Sequence, residues 1–443
     1  MSEKLPSVKP REVARALMKA GFEGRVTRPP TRRELLARGL AATSGLLLGG
    51  CAPRVVRMTD GRTASHPDSL GRRGNVLLGL YSRETHVDPV AAVREACGCL
   101  DWSWLGRGDS VFVKLSCNSA YPHPAATSPH AVRALVAELR ERGAGRILVG
   151  DQAGAGYVRL AAGERRFSST REQAATNGLL AAIEESGATP HFFDDQGYTR
   201  GYFQAELPFD RPAWREPPHL ARVIREVDHV VYLPRLSSHV LAGHTHGHKL
   251  AVGWLRDDSR FQFHYEAATF HEKFVEINYA RELCDRRRLV LTFAEQALLT
   301  VGPHRGSVAR PDSWIVITSA DLANHDLAAT AMLTWLDRVT PPSGLHVVPP
   351  PYGIATNLCN WLYLSSMVPR QTGIPWGRPD SWHYQPLAVQ RYREGLACDR
   401  VLTHAYRLGG GRPSRVDVRI AGSEPAAGLR SFLGTWSGGV LHV

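Results

Sequence analysis

Between Leu236 and Tyr265 the chain carries Ser237, Ser238 and His239, then Gly243-His244-Thr245-His246-Gly247-His248-Lys249, then Gly253-Trp254 and His264. Five of the 19 histidines and a lysine therefore share a short stretch of a 443-residue chain, denser than even spacing would place them. Imidazole binds metals and changes charge near neutral pH. An amine neutralises carboxylates or acts as a nucleophile. His244, His246 and His248 alternate, so an extended segment would aim all three to one side. Three convergent imidazoles suit Zn, Ni, Cu or Fe. The plainer alternative is a solvated histidine-rich loop, or one histidine satisfying backbone groups beside two exposed ones.

Other candidates stand apart in sequence. Lys114 ends the apolar run Val111-Phe112-Val113, where a strand of an open parallel sheet would meet a ligand crevice. It either holds an anionic substrate or runs out to solvent. Asp151 closes the run Arg146-Ile147-Leu148-Val149-Gly150, and either ligates a metal or caps the next turn. Gly150-Asp151-Gln152-Ala153-Gly154-Ala155-Gly156 lacks the order of a dinucleotide or phosphate loop. Cys117 beside Asn118 is either a nucleophile or a small buried thiol. Asp321 and Asp326 read as caps of the helix that follows them.

These residues need elements to bring them together. Short apolar runs predict strands at 75–81, 111–115, 146–151, 191–194, 229–234, 289–293, 314–318 and 415–420. Helical spacing predicts helices from Pro89 to Leu100 with Asp88 as N-cap, at 131–142 after Ser128-Pro129, and at 174–186, 221–226, 270–281, 326–336 and 388–406. Alternating strands and helices predict an α/β fold: a mostly parallel sheet with helices on both faces, spanning 74–340. Residues 340–385 are Pro-, Gly- and aromatic-rich and aperiodic, and a C-terminal extension (341–443) is expected to pack on the same domain.

Four stretches resemble the family known as domain of unknown function 362. Val111-Phe112-Val113-Lys114-Leu115-Ser116-Cys117-Asn118 is similar to its "strand, Lys, Pro, Asn" segment, with Leu115-Ser116-Cys117 in place of the single proline. Thr127-Ser128-Pro129-His130 through Gly150-Asp151-Gln152-Ala153-Gly154 resembles "Thr-His-Pro, helix, Gly-Asp-x-x-Gly". Leu233-Pro234-Arg235-Leu236-Ser237-Ser238-His239 through Lys249-Leu250-Ala251-Val252-Gly253 resembles "Pro-Lys-Leu-Lys-Thr-His … Lys-Asn-x-x-Gly". Ser319-Ala320-Asp321 with Asp326 resembles "Ser-x-Asp-Pro-x-Ala-x-Asp". Many members carry an added ferredoxin module. Here its cysteines are absent and no Cys-x-x-Cys pair occurs, so a self-contained 4Fe-4S cluster is not expected. A more distant similarity is to the N-terminal domain of nickel-pincer lactate racemase. There a His, a Lys that bears the cofactor and a second His that ligates nickel occur with nearly the spacing of His239, Lys249 and His264. The resemblance implies Lys249 toward a cofactor and His239 and His264 toward Ni, Zn or Fe; the site expected at the strand ends of one sheet adds Lys114 and Asp151 to Lys249 as catalytic groups and Asn118 toward the cofactor.

The N-terminus supplies an address. Arg32-Arg33, the uncharged run from Gly39 to Gly50, and Leu48-Gly49-Gly50-Cys51 form a twin-arginine signal with a lipoprotein cleavage box. The run is too short for a permanent span, which needs about 20 apolar residues. The expected partners are the twin-arginine translocase, a lipid anchor on Cys51 and a small-molecule ligand, with residues 51–73 as a polar tether at the periplasmic side of the envelope. Net charge is +12, but residues 1–50 hold ten Lys/Arg against four Glu, and the rest is spread thinly. Nucleic-acid binding, which clusters its charge, is excluded. Cys97, Cys99, Cys117, Cys284, Cys359 and Cys398 either pair in an oxidising compartment or serve as small buried residues. Two functions remain open. One is a metal- or cofactor-dependent oxidoreductase or isomerase acting on a small anion. The other is a non-catalytic envelope protein binding a metal or anion through His244, His246 and His248, or a family member that has lost its clusters.

Overall fold

The computed structural model describes residues 75–340 and 391–443, apart from 155, 164, 240–241, 266–268, 301 and 305. Arg32, Arg33, Cys51, Cys359, the tether and the 341–385 segment lie outside the described residues. Nine strands form the central sheet: β1 (Val76–Ser82), β2 (Ser110–Leu115), β3 (Arg146–Gly150), β4 (Thr189–Pro190), β5 (His229–Leu233), β6 (Arg287–Ala294), β7 (Ser313–Ser319), β8 (Val416–Gly422) and β9 (Leu441–His442). Their spatial order is β9-β8-β1-β7-β6-β5-β2-β3-β4. β7 runs antiparallel to its neighbours β1 and β6, and every other pairing is parallel. The C-terminal extension thus contributes two strands of the sheet itself.

Eleven helices are described: α1 (Pro89–Gly98), α2 (Pro129–Glu141), α3 (Thr170–Thr176), α4 (Leu179–Glu185), α5 (Gly247–Leu250), α6 (Asp257–Tyr265), α7 (Phe270–Glu276), α8 (Arg281–Arg286), α9 (Leu322–Val339), α10 (Arg400–Leu408) and α11 (Leu429–Trp436). Their starts follow local chemistry. Asp88 accepts from Val90 N, Ser128 from His130 N and Ala131 N, and Asp321 from Asn324 N, with proline in the first turn of α1 and α2.

Strand periodicity sorts side chains between faces. Val111, Val113 and Leu115 of β2 join a core with α1, α2 and α4. Phe112 points the other way, into a core holding Phe193, Trp254, Phe270 and Phe274. Lys114 shares Phe112's face, with its ammonium 5.5 Å from the Trp254 ring centroid. Helices therefore cover both faces, as the alternation predicts.

Several boundaries differ from the sequence expectation. The 174–186 helix is two helices, α3 and α4, separated at Asn177-Gly178, where Gly178 takes φ 84°. A strand at 191–194 does not form. Phe192 and Phe193 are both buried, on opposite cores, and Phe193–Gln196 coils into a 3-10 turn after β4. Residues 222–226 form a 3-10 turn, 270–281 ends as a helix at Glu276, and the last long helix starts only at Arg400, capped by Asp399. Helix α6 lacked an apolar period in the sequence.

Candidate active site

The chain places β3 and β4 on one side of β2, then returns to place β5 and β6 on the other. The gap between β2 and β5 is a topological switch point, where the carboxyl ends of parallel strands open a crevice. Thr127 joins the two strand ends, because its Oγ1 donates to Leu233 O (2.8 Å) and accepts from Ser116 N (2.8 Å). Beyond them lies a cleft of about 830 Å³, open to solvent. Ser116, Asn118, Asp151, Gln152, Tyr157, His239, Thr245, Lys249, Gly253, Arg260, His264 and His304 line it. His239, Lys249, His264, Asp151 and Asn118, spread over nearly 150 positions, thus share one hollow.

Lys114 stands directly behind that hollow. It is fully buried, and its Nζ donates to Asp151 Oδ1 (2.5 Å) and Leu115 O (2.9 Å). Asp151 also accepts from Cys117 N (2.7 Å) and Gln152 N (2.7 Å). The pair is thus a fixed strut joining β2 to β3. Gly253 packs against it so closely that a Cβ would collide with both Asp151 Oδ1 and Lys114 Nζ. Arg260 binds the loops together, donating to Leu255 O (2.9 Å), Gln152 O (3.0 Å), Gly253 O (3.0 Å) and Ala153 O.

Unlike Lys114 and Arg260 beside it, Lys249 makes no hydrogen bond or ion pair among the described residues. Burial, then the charges of Arg235 and Arg260, push its pKa down to about 7. After residue 50 the chain has only three lysines, Lys114, Lys249 and Lys273, against an abundance of arginine. Lys114 and Lys273 are fully buried and bonded, so Lys249 carries the one partly accessible amine among the described lysines.

The two histidines of the cleft are wired oppositely. His239 Nδ1 accepts from Ala242 N (3.2 Å), so its neutral ring carries the proton on Nε2. His264 Nδ1 faces Arg260 O (2.8 Å) and must donate to it, so its lone pair is on Nε2. Burial holds both rings neutral, His264 at about 4 and His239 well below the usual imidazole range.

His244, His246 and His248 do not converge on the cleft. The chain is extended at Gly243–His244 and at His246 but turns helical at Gly247, so His244 and His246 share a side while His248 is carried away from them. His244 Nε2 meets Asp399 (2.8 Å) and stacks on His246, with ring centroids 4.6 Å apart. His248 Nδ1 meets Asp326 (2.8 Å). Asp326 does not cap its own helix. It accepts from Gly247 N and His248 N and so starts α5. Among the described residues no three His, Cys, Asp or Glu side chains are placed to hold a metal ion together. Cys117 is buried and its thiol is pushed up to about 12 by burial, which removes it as a nucleophile. The described cysteines, Cys97, Cys99, Cys117, Cys284 and Cys398, are all free thiols.

Residues 111–331 match the family model described as Domain of unknown function (DUF362). This segment belongs to that family. Three of the family-like stretches meet at the cleft: Lys114–Asn118, Gly150–Gly154 and Leu233–Gly253. The fourth, Ser319–Asp326, supports α5 from behind. No curated protein matches the chain. Among solved structures it is similar to the lactate racemase apoprotein from Thermoanaerobacterium thermosaccharolyticum, at 11% identity and TM-score 0.38 over 85% of this chain and 89% of that one. A protein from Thermotoga maritima is similar at 12% identity and TM-score 0.36, over 80% and 92%. The sequence reading had no role for Arg260 or His304. Arg260 sits on the polar helix α6, and His304 follows the cis peptide Gly302-Pro303; neither stands in a motif.

Proposed function

We propose that this DUF362 protein is an enzyme of oxidoreductase or isomerase type that acts on a small anionic substrate through the uncharged amine of Lys249. The observation that carries the reading is an unpartnered amine, held near neutrality, in a cleft shared with two oppositely wired imidazoles. A nucleophilic or covalently loaded lysine needs such surroundings, because only the neutral amine carries a lone pair. Perturbed groups in a crevice are the physical mark of such a site. A metal held by side chains alone does not fit the described cleft, whereas an organic cofactor joined to Lys249 does fit its free amine. Such a cofactor would supply an electron sink or hydride acceptor beside the substrate. His264 Nε2 would then take a proton, His239 Nε2–H would donate one, and Arg260 would hold the loops.

The leader supports an exported protein, carried by the twin-arginine translocase and tethered through Cys51 at the periplasmic side. One experiment tests address and site together: intact-mass spectrometry with elemental analysis of protein purified after native export. We expect cleavage before Cys51 with lipid mass, and a Lys249→Ala protein that folds but takes up no ligand or adduct. Unchanged ligand or adduct content in Lys249→Ala would remove Lys249 from the site.

A further inference from the structure

We propose that the substrate is a small 2-oxo carboxylate, captured by Lys249 as an imine. The inference rests on the reactive Lys249 amine of the functional reading above and takes the case in which that amine meets the substrate itself instead of a joined cofactor. Charge argues for the carboxylate. Arg235 stands two residues beyond β5, fully buried, with Nη1 donating to Pro124 O (3.2 Å), Ala125 O (2.5 Å) and the cleft-wall residue Pro303 (O, 2.6 Å). It has no carboxylate partner among the described residues, and its Nε and Nη2 are buried without any hydrogen-bond partner. Asp151 is already committed to Lys114, and Asp257, which acts on Arg260, is held by Gln152 and Leu160 N. Arg235 lies behind the cleft wall at Pro303 rather than in its lining, so the cleft and its wall together are one negative charge short, and an unpaired buried cation is costly until an anion arrives.

The oxo group follows from the remaining parts. A carboxylate alone would use the cations and leave Lys249 idle. A carbonyl beside it gives the amine an electrophile. The Nζ lone pair adds to the carbonyl carbon, and the carbonyl oxygen is protonated to give a carbinolamine. The C–O bond then breaks, and that oxygen leaves as water with both hydrogens lost from nitrogen. Carbon and nitrogen end doubly bonded, with no change of oxidation state. His239 Nε2–H and His264 Nε2 are the donor and acceptor that these two proton transfers require. The charged groups that act on Lys249 are Arg235, Arg260, Lys114 and Asp151, and cations outnumber the one acid.

The test treats the full chain with cyanoborohydride and either pyruvate or acetaldehyde, and maps modified lysines by peptide mass spectrometry. We expect pyruvate to label Lys249 about tenfold or more faster than acetaldehyde, since a fixed cation concentrates the anion. Arg235→Gln should erase that preference and Arg235→Lys should keep it. If acetaldehyde labels Lys249 and pyruvate does not, the 2-oxo acid is overturned while the reactive amine stands. An organic group already present on Lys249 in untreated protein likewise overturns imine capture alone. Failure of both pyruvate and acetaldehyde to label Lys249 overturns the amine itself.

Discussion

Keeping the Lys249 amine between Arg235, Arg260 and Lys114 has a thermodynamic consequence as well as a chemical one. Its folded pKa, about 7, lies below the usual lysine value of 10.5. The unfolded chain therefore binds a proton that the native state refuses between those limits. Stability rises with pH across that window, and the full penalty is present below about pH 7. At about 1.4 kcal/mol per unit, a few kcal/mol are at stake. Lys249→Met keeps the length and removes the charge, so we expect higher stability by chemical denaturation at pH 6–7, shrinking toward pH 10. A destabilised Lys249→Met at pH 6 would mean the amine is well satisfied in the fold. The other cations cannot be swapped so freely, since Arg260 and Lys114 each hold loop carbonyls or a carboxylate.

At the scale of elements, the site depends on how closely α5 and the turn after it approach the ends of β2 and β3. Gly253 marks that approach. We expect Gly253→Ala to destabilise by about 1–3 kcal/mol, because its methyl must part Asp151 from Lys114 or push the turn away. Gly98, around which a Cβ meets nothing within 4 Å, is the control, and Gly98→Ala should be neutral or mildly stabilising. Equal tolerance at both positions in denaturant melts would contradict this packing. Asp326 works at the same scale: from within α9 it starts α5 and so sets where Lys249 emerges. The sequence reading assigned Asp326 to its own helix because only local spacing is visible in a chain, while a carboxylate capping a helix 79 residues away is not.

Across the whole molecule, the strands were legible because buried parallel strands are continuous apolar runs with glycine or proline at their ends. The reversed direction of β7 was not, since an apolar run carries no arrow. His239, Lys249 and His264 stood in a stretch crowded with histidines, and the spacing shared with nickel-pincer lactate racemase singled them out. Arg235 stood there too, yet its burial without a carboxylate partner appears only when 124–125 and 303 close around it. That long-range convergence, and no local stretch, pushes the Lys249 amine down to about 7. The direct measurement is competitive acetylation of Lys114, Lys249 and Lys273 across pH 5–11, with Lys249 modification followed by peptide mass. We predict a midpoint near 7 for Lys249, moving upward in Arg235→Gln. A midpoint near the ordinary lysine value, unmoved by Arg235→Gln, would contradict the account.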